Sequence, residues 1–367
     1  MVPRAAAEAR VRAALAVAKR IANADDLLGI RARARLIELG DLSREGVELA
    51  LSEHLETTAT EAEIASFVGR AEEAAHCAVI LSANVCTAAL RALAFGLATA
   101  PLVRVKASRR DPVLAELLAG ELPSVELVYT LAEATANLHL GDELHAYGSD
   151  ATLTALAPHA AELGLTLKGH GTGFGLAVIE ADDPVEGSAL ALARAIVPFD
   201  GRGCLSPRLA FVAGDAARGH AFAVSLNASL ERAGQDVPRG PLSDEERAEL
   251  RLFLRTSELI GEIWEGPNHL IALDASAEAV TPAPAHRGIS VVSASSADIS
   301  RLLTPWRAFV TAIGSQKRGG PLACAASRVA PFARTSTLAA MQRPPFDGPV
   351  DLRRLDGQLT GTNTRSR

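Results

Sequence analysis

CAVILSANVCTAALRALAFGLATAPLVRVKA, residues 77–107, contains the alternation of element types that decides the fold class. CAVILS (77–82) and LVRVKA (102–107) are short apolar runs of the length that buried strands have, and CTAALRALAFGLA (86–98) between them is typical of a buried helix. A strand, a helix and a second strand in this order predict a βαβ unit, in which the strands are parallel and both faces of the sheet are covered.

The alternation of strands and helices continues along the chain. Further strands are predicted at VELVYT (125–130) and ELHAYG (143–148), with helices before and after them, and a second region is expected to begin near Gly169, after LTLK. Beyond Gly169 the candidate strands are GLAVIEA, RLAFVAG and GISVVSA. A series of such units predicts an α/β protein, and the pattern is typical of nucleotide-binding domains.

A capping box predicts one long helix in the second half of the chain. Ser243 is followed three residues later by Glu246, a pair whose side chains satisfy the exposed N–H groups at a helix start. The apolar pattern that follows predicts a helix from Asp244 through Trp264.

Composition and charge exclude several classes of function. The 367 residues are 48% hydrophobic and 22% charged, so the chain can bury a sizeable core. A net charge of −6 and 4% aromatic residues provide neither a basic surface for phosphate backbones nor stacking platforms for bases, so nucleic acid is not an expected partner. The most apolar segment, residues 86–103, is interrupted by Arg91 and Pro101 and is shorter than the roughly 20 residues of a membrane span, so no span is predicted.

The four cysteines argue against a disulfide framework and against a zinc site. They lie far apart and none forms a C-x-x-C pair; they are Cys77, Cys86, Cys204 and Cys324. This usage predicts a reducing, cytoplasmic location and no bound metal.

FDGRGCLSPR, residues 199–208, presents one of these cysteines between glycines. Gly201 and Gly203 permit tight turns and the close approach of a ligand, and Ser206-Pro207 ends the loop before a predicted strand. Two interpretations of Cys204 remain open: a reactive nucleophile, or a small buried apolar side chain.

Polar residues follow two of the predicted strands. Asn84, between the first strand and its helix, is expected either to cap the helix or to donate to a developing oxyanion. Lys106 and Ser108 follow the next strand in VRVKASRRDP, with three arginines close by, namely Arg104, Arg109 and Arg110. These charges are either solvated or bind the ribose and 2′-phosphate of a dinucleotide.

Two glycine-containing turns are further candidates for phosphate binding. AYGSDATL (146–153) places Gly148 and Ser149 before a helix, where free N–H groups bind a pyrophosphate, although an ordinary capped turn predicts the same letters. GHGTGFG (169–175) does not satisfy G-x-G-x-x-G, and its His170 is interpreted as a turn residue.

The order of these motifs resembles that of a known family. Asn84 after a strand, VRVKAS, AYGSDATL and FDGRGCLSPR follow the motif order of the acyl-CoA reductases, which resemble the fatty acid reductase component of bacterial bioluminescence. These enzymes form a branch of the aldehyde dehydrogenase superfamily. The resemblance covers residues 77–345 and includes WEGPNHLIAL, HRGISVV and RVAPFARTSTLAAMQRPP, with the cysteine loop as its most specific part.

The resemblance implies an aldehyde dehydrogenase-like α/β fold and a division of the chain. Residues 1–168 would form N-terminal helices and a Rossmann-like cofactor-binding domain, and residues 169–335 a catalytic domain with the nucleophilic cysteine loop. Residues 336–367, rich in proline and then polar, would be a C-terminal tail that frays at its end. The resemblance is also compatible with a homo-oligomer.

Roles for individual residues follow from the same resemblance. Cys204 would be the thiolate nucleophile and Asn84 the oxyanion donor. The cofactor, NADPH with NADH as the alternative, would be bound by Lys106, Ser108, Gly148, Ser149 and Glu265. Glu265 in WEGP resembles the glutamate that holds the nicotinamide ribose in the wider superfamily. Glu262 is close to it in sequence, so either glutamate could correspond to that residue.

One departure from the wider superfamily bears on the reaction. Aldehyde dehydrogenases that hydrolyse their acyl-enzyme have a water-activating glutamate in E-L-G-G-K, whereas the corresponding region here is LKGHGTGFG. The resemblance therefore implies reduction of a fatty acyl-CoA to the aldehyde. The alternatives are an NAD(P)-dependent aldehyde or semialdehyde dehydrogenase that uses His170 or Glu265 as the base, and a non-catalytic acyl-CoA- or nucleotide-binding subunit.

Overall fold

The computed structural model describes residues 4–274 and 278–353, which divide into two units. The first unit comprises residues up to 39, residues 51–172 and the segment from 345 onward; the second comprises residues 40–50 and 173–344. The domain boundary expected after residue 168 stays a prediction, and the chain leaves the first unit at Thr172.

Helices and strands alternate along most of the described chain. The helices are α1 (Arg4–Ala22), α2 (Leu27–Leu39), α3 (Arg44–Leu49), α4 (Glu61–Gly69), α5 (Ala88–Thr99), α6 (Val113–Glu121), α7 (Leu131–Thr135), α8 (Asp150–Glu162), α9 (Val185–Ile196), α10 (Ala216–Asp236), α11 (Asp244–Ser257), α12 (Ser296–Leu303) and α13 (Pro321–Val329). The strands are β1 (His76–Ile80), β2 (Leu102–Lys106), β3 (Val125–Val128), β4 (Glu143–Tyr147), β5 (Thr166–His170), β6 (Phe174–Ile179), β7 (Pro207–Val212), β8 (Gly261–Gly266), β9 (His269–Asp274), β10 (Gly288–Ser293), β11 (Val310–Ser315) and β12 (Arg334–Thr337).

The first unit contains a five-stranded parallel sheet in the order β3-β2-β1-β4-β5. The apolar strand residues Ala78, Leu144 and Ala146 pack against helical residues such as Leu153 and Leu156. The strand order reverses between β1 and β4, and open α/β sheets bind ligands outside the carboxyl ends of the strands at such a reversal. The predicted α/β class and the βαβ unit of residues 77–107 are confirmed.

The second unit is built on a seven-stranded sheet in the order β12-β11-β6-β7-β10-β9-β8. Its strands run parallel except β8, which is antiparallel to β9. One face is covered by α12 and α13, and the core on that side contains Leu176, Leu209, Phe211, Val292 and Ile313.

Two assignments from the sequence differ from the structure. The helix expected to run through Trp264 ends at Ser257, because residues 261–266 pair with the buried strand 269–274 across the turn at Pro267. For residues 261–266, pairing with the buried strand β9 therefore outweighs their helical pattern. The tail expected from residue 336 begins inside β12, and its polar end, residues 354–367, lies outside the described residues.

Glu180, at the end of β6, caps a helix that is distant in sequence. Its carboxylate is almost fully buried and accepts hydrogen bonds from the N–H groups of Leu322 (3.2 Å) and Ala323 (2.9 Å) in the first turn of α13. The charge also complements the positive end of the helix dipole.

We expect Glu180→Ala to lower the free energy of unfolding by about 2–3 kcal/mol, because it leaves buried N–H groups without an acceptor. Urea denaturation of the full chain measures the change. Asp182→Ala is the matched control, since this carboxylate is exposed and pairs with Lys317 at 3.0 Å. Equal effects of the two substitutions would contradict the capping role of Glu180.

Candidate active site

Cys204 lies in a turn immediately before β7 in the second unit. The N–H of Ser206 donates to the carbonyl of Gly203 at 3.0 Å, which closes the turn. Cys204 is partly exposed, whereas Cys77 and Cys86 are buried and Cys324 is exposed on α13. Burial raises the pKa of the Cys77 thiol well above its usual value, so that thiol is inert near neutral pH.

The segment before the turn has left-handed backbone. Phe199, Asp200 and Gly201 have φ values of 54°, 53° and 70°. Left-handed conformation costs roughly 1–2 kcal/mol for a residue with a side chain, so it persists only where surrounding contacts enforce it. A Cβ at position 201 would lie 3.1 Å from the backbone nitrogen of Arg287, which adds a packing reason for glycine there.

A buried ion pair supplies those contacts. Asp200 and Arg287 are 2% and 1% exposed, and their side chains meet at 2.6 Å and 2.9 Å. The Arg287 N–H donates to the carbonyl of Asp200 at 3.1 Å, and Gly240 N–H donates to the second carboxylate oxygen at 2.9 Å. Burial lowers the pKa of the Arg287 guanidinium, and the negative charge of Asp200 opposes this shift.

The other side of the cysteine turn is fixed by Gly175 and Gln342. Gly175 N–H donates to the carbonyl of Ser206 at 2.8 Å, and a Cβ on residue 175 would lie only 2.2 Å from the carbonyl oxygen of Leu205. The Gln342 amide donates to the carbonyl of Ala195 at 2.6 Å and to the hydroxyl of Ser206 at 3.0 Å. The last glycine of GHGTGFG therefore allows the cysteine turn to pack directly on β6.

The polar residues that follow β1 and β2 are in the first unit. Asn84 is exposed in the loop after β1, and the N-cap residue of α5 is Thr87, so the alternative that Asn84 caps this helix is wrong. The helix begins later than its apolar pattern suggests, which leaves Asn84 in the loop. Lys106 ends β2 and is partly exposed, and the Ser108 hydroxyl accepts the N–H of Arg110 at 3.3 Å.

The three arginines around Lys106 differ in their contacts. Arg104 is bound by the carboxylate of Glu126 at 2.8 Å and also donates to the carbonyl of Ala136. Arg109 and Arg110 are exposed, and their guanidinium groups have no acceptor within the described residues. Arg104 is thus already neutralised, and Arg109 and Arg110 are the available cations.

The turn before α8 is a capped helix start. The Ser149 hydroxyl accepts the N–H of Thr152 at 3.2 Å, and the Asp150 carboxylate accepts the N–H of Thr172 at 3.3 Å. The alternative of an ordinary capped turn is confirmed. A role of Gly148 and Ser149 in pyrophosphate binding stays a prediction.

The candidate glutamates and His170 have distinct environments. Glu262 lies 3.1 Å from the ring of His220, whereas Glu265 is exposed and its carboxylate has no hydrogen-bond partner within the described residues. His170 is the last residue of β5 rather than a turn residue, and its buried ring stacks on Tyr147 with 4.3 Å between ring centroids.

Neither metal-binding clusters nor membrane-spanning helices are found in the part of the chain that the structure describes. No group of three or more His, Cys, Asp or Glu side chains there is arranged to hold a metal ion. None of the helices in that part combines the length and hydropathy that crossing a membrane requires.

Comparison with known proteins decides the family. The family model described as Acyl-CoA reductase (LuxC) matches residues 55–356. The chain belongs to the acyl-CoA reductase (LuxC) family. It is therefore an oxidoreductase of acyl or aldehyde groups, as the motif order implied.

Solved structures of low sequence identity share the fold of this LuxC-family protein. An NAD-dependent benzaldehyde dehydrogenase from Corynebacterium glutamicum matches with a TM-score of 0.71 and 15% identity, over 95% of this chain and 82% of the other. A propionaldehyde dehydrogenase from a Clostridium phytofermentans fucose utilisation bacterial microcompartment matches with a TM-score of 0.66 and 11% identity, over 97% and 90% of the two chains. No curated protein sequence matches this chain. The aldehyde dehydrogenase-like fold is confirmed.

Sequence reasoning did not single out several residues that support the cysteine turn. Asp200 lies inside the quoted motif FDGRGCLSPR, and Arg287 lies inside HRGISVV, so both were within stretches that carry the resemblance. Their pairing is a tertiary contact between residues 87 positions apart, for which the sequence contains no periodic signal.

We expect Asp200→Asn to lower the free energy of unfolding by about 3–5 kcal/mol, because the substitution leaves the Arg287 guanidinium buried without a counter-charge. Urea denaturation of the full chain measures the change. Asp244→Asn is the control, because Asp244 pairs with Arg247 at 2.8 Å on an exposed helix start. If both variants unfold at the wild-type urea concentration, the ion pair does not hold the turn.

Proposed function

We propose that this protein reduces a fatty acyl-CoA to the fatty aldehyde with NADPH, through an acyl thioester on Cys204. The main support is the setting of Cys204 in a chain of the acyl-CoA reductase family. Cys204 is partly exposed in a turn that is held by the Asp200–Arg287 pair before it and by hydrogen bonds from Gly175 and Gln342 to Ser206. Rigid support of a nucleophile is what covalent catalysis requires.

Cys204 performs the first chemical step. Its thiolate attacks the thioester carbonyl carbon, and a new carbon–sulfur bond forms as the bond to CoA breaks. CoA leaves as a thiolate and takes a proton from solvent. The acyl group then remains on Cys204 until it is reduced and released as aldehyde.

Asn84 and the backbone N–H of Cys204 are the proposed oxyanion donors. The support for Asn84 is that its amide is exposed, does not cap α5, and has no hydrogen-bond partner within the described residues. A donor of this kind stabilises the negative charge that develops on the carbonyl oxygen in the transition state.

The residues present fit a phosphorylated nicotinamide cofactor. Lys106, Arg109 and Arg110 provide positive charge after β2, at the edge of a parallel sheet where dinucleotides bind. We further propose that the dinucleotide is lined by Ser108, Gly148 and Ser149 and that Glu265 holds the nicotinamide ribose. When bound, NADPH supplies the hydride that reduces the acyl carbon.

Reduction is favoured over hydrolysis because a water-activating base is not evident. LKGHGTGFG has no glutamate, and the buried ring of His170 is stacked on Tyr147. Glu265, the other candidate base, is exposed on β8. An acyl-enzyme without an activated water persists until hydride is available.

We expect the protein incubated with a long-chain acyl-CoA and no NADPH to gain the mass of one acyl group, because the thioester on Cys204 hydrolyses slowly. NADPH added afterwards should discharge the group as aldehyde. Intact-protein mass spectrometry and aldehyde detection measure the two events. Cys204→Ala should abolish both.

Cys324→Ala is the matched control for that experiment, because Cys324 is an exposed cysteine of the same unit. This variant should be acylated like the wild type. An acyl group on a residue other than Cys204 would exclude Cys204 as the nucleophile. Binding of acyl-CoA without any acylation would support the non-catalytic subunit instead.

We expect Lys106→Ala to weaken NADPH binding by about 10- to 100-fold and NADH binding much less, because a charge-assisted hydrogen bond to the 2′-phosphate is lost. Quenching of protein fluorescence by each cofactor gives the two dissociation constants. Arg104→Ala is the control, since Glu126 already neutralises Arg104. Equal losses for NADPH and NADH in Lys106→Ala would show that Lys106 does not bind the 2′-phosphate.

A further inference from the structure

Arg202 lies two residues before Cys204 and joins the start of the cysteine turn to other segments of the second unit. Its Nη1 donates to the carbonyl of Asp41 at 2.7 Å, and its Nη2 lies 3.5 Å from both the carbonyl of Pro241 and Oε1 of Glu246. The side chain is only 14% exposed. A hydrogen bond from a charged donor in such a site is stronger than one between neutral groups.

The acceptor of the short bond belongs to residues 40–50, the part of the N-terminal chain that lies in the second unit. This segment has local order of its own, because the Ser43 hydroxyl caps α3. It is also closely packed, since a Cβ on Gly240 would lie 2.5 Å from the carbonyl oxygen of Asp41. The carbonyl that Arg202 binds is therefore itself held in place.

Cys204 lies between two fixed points of the backbone. On one side, the Arg202 N–H donates to the carbonyl of Phe199 at 3.1 Å while its side chain binds residues 40–50. On the other side, Ser206 is held by the hydrogen bonds from Gly175 and Gln342 described above. Three residues separate the two points, so fixing both ends leaves the thiol few positions to occupy.

The residue between Arg202 and Cys204 is a glycine, which makes a contact so close to the nucleophile important. Gly203 has no Cβ, and glycine has the widest choice of backbone conformations of any residue. The contact at Arg202 lies directly before Gly203, whereas the Asp200–Arg287 pair acts two residues earlier. Loss of the Arg202 contact would therefore release the turn at its most permissive residue.

We propose that Arg202 is a positioning residue for acylation, which fixes where the Cys204 thiol lies by tying the cysteine turn to residues 40–50. Misplacement of a reacting atom by about 1 Å can slow a reaction about 100-fold. The bonds that form and break are those of acyl transfer from CoA to Cys204, and Arg202 exchanges no proton. The proposal rests on Cys204 being the nucleophile of the proposed function. It assigns a catalytic purpose to residues 40–50, which lie outside the residues 55–356 that the family model matches.

The test compares two reactions of the same thiol. The first is acylation, measured as the rate constant of CoA release from a saturating long-chain acyl-CoA in a rapid-quench experiment without reduced cofactor. The second is alkylation by iodoacetamide, which needs an accessible thiolate but no alignment with a bound substrate. The Cys324→Ala background removes the other cysteine that is not buried, and peptide mapping confirms alkylation at Cys204.

We expect Arg202→Met to lower the acylation rate constant by about 10- to 100-fold, because the thiol is no longer held in line with the carbonyl carbon. The alkylation rate should fall much less. Arg202→Lys should recover part of the acylation rate, since a lysine keeps the charge but not the planar fork of donors. Arg247→Met is the matched control, because Arg247 also donates to a backbone carbonyl of the second unit, that of Leu242, and should be acylated at the wild-type rate.

A wild-type acylation rate in Arg202→Met would overturn the proposal. An equal loss of acylation and alkylation would also overturn it, because loss of thiolate or of access would then explain both. If Arg202→Met does not fold, the same comparison is made with Arg202→Lys, in which acylation must again be slowed more than alkylation. Either contrary result leaves the proposed function standing, whereas absence of acylation in the wild type would overturn the proposed function itself.

Discussion

The ion pair between Asp200 and Arg287 is the contact on which the turn that contains Cys204 depends. It joins two left-handed backbone segments, Phe199–Gly201 and the pair His286 and Arg287, whose φ values are 72° and 65°. Both segments would relax without it, because left-handed backbone costs free energy at residues with side chains. The pair thus maintains the backbone that leads into Cys204, and its burial makes loss of either partner costly.

A thiol that is to be acylated must be accessible and also fixed in place. The turn that contains Cys204 meets both requirements, because Gly175 and Gln342 hold Ser206 by hydrogen bonds while Cys204 itself stays partly exposed. In the first unit, the strand reversal between β1 and β4 supplies the edge at which a dinucleotide binds in folds of this kind. Membership of the acyl-CoA reductase family connects these two features with one reaction class.

Local patterns in the sequence predicted the fold class, whereas tertiary contacts had to be seen in the structure. The short apolar runs that form β1 and β2 are readily assigned as strands, because a segment long enough for a helix, α5, separates them. Residues 258–264 continue the pattern of α11, and only pairing with β9 makes residues 261–266 a strand. Cys204 was identified from its motif, but the partners that hold its turn, Asp200 with Arg287, lie 87 residues apart and share no periodicity.

Rapid-quench measurement of CoA release without reduced cofactor shows whether the acyl group reaches Cys204 before any reduction. An acyl-enzyme on Cys204 predicts a burst of about one CoA per chain, followed by slow release that reports hydrolysis of the acyl-enzyme. The burst should disappear in Cys204→Ala. CoA release that begins only after NADPH is added would exclude this acyl-enzyme, because the thioester bond of the substrate would then stay intact until reduction.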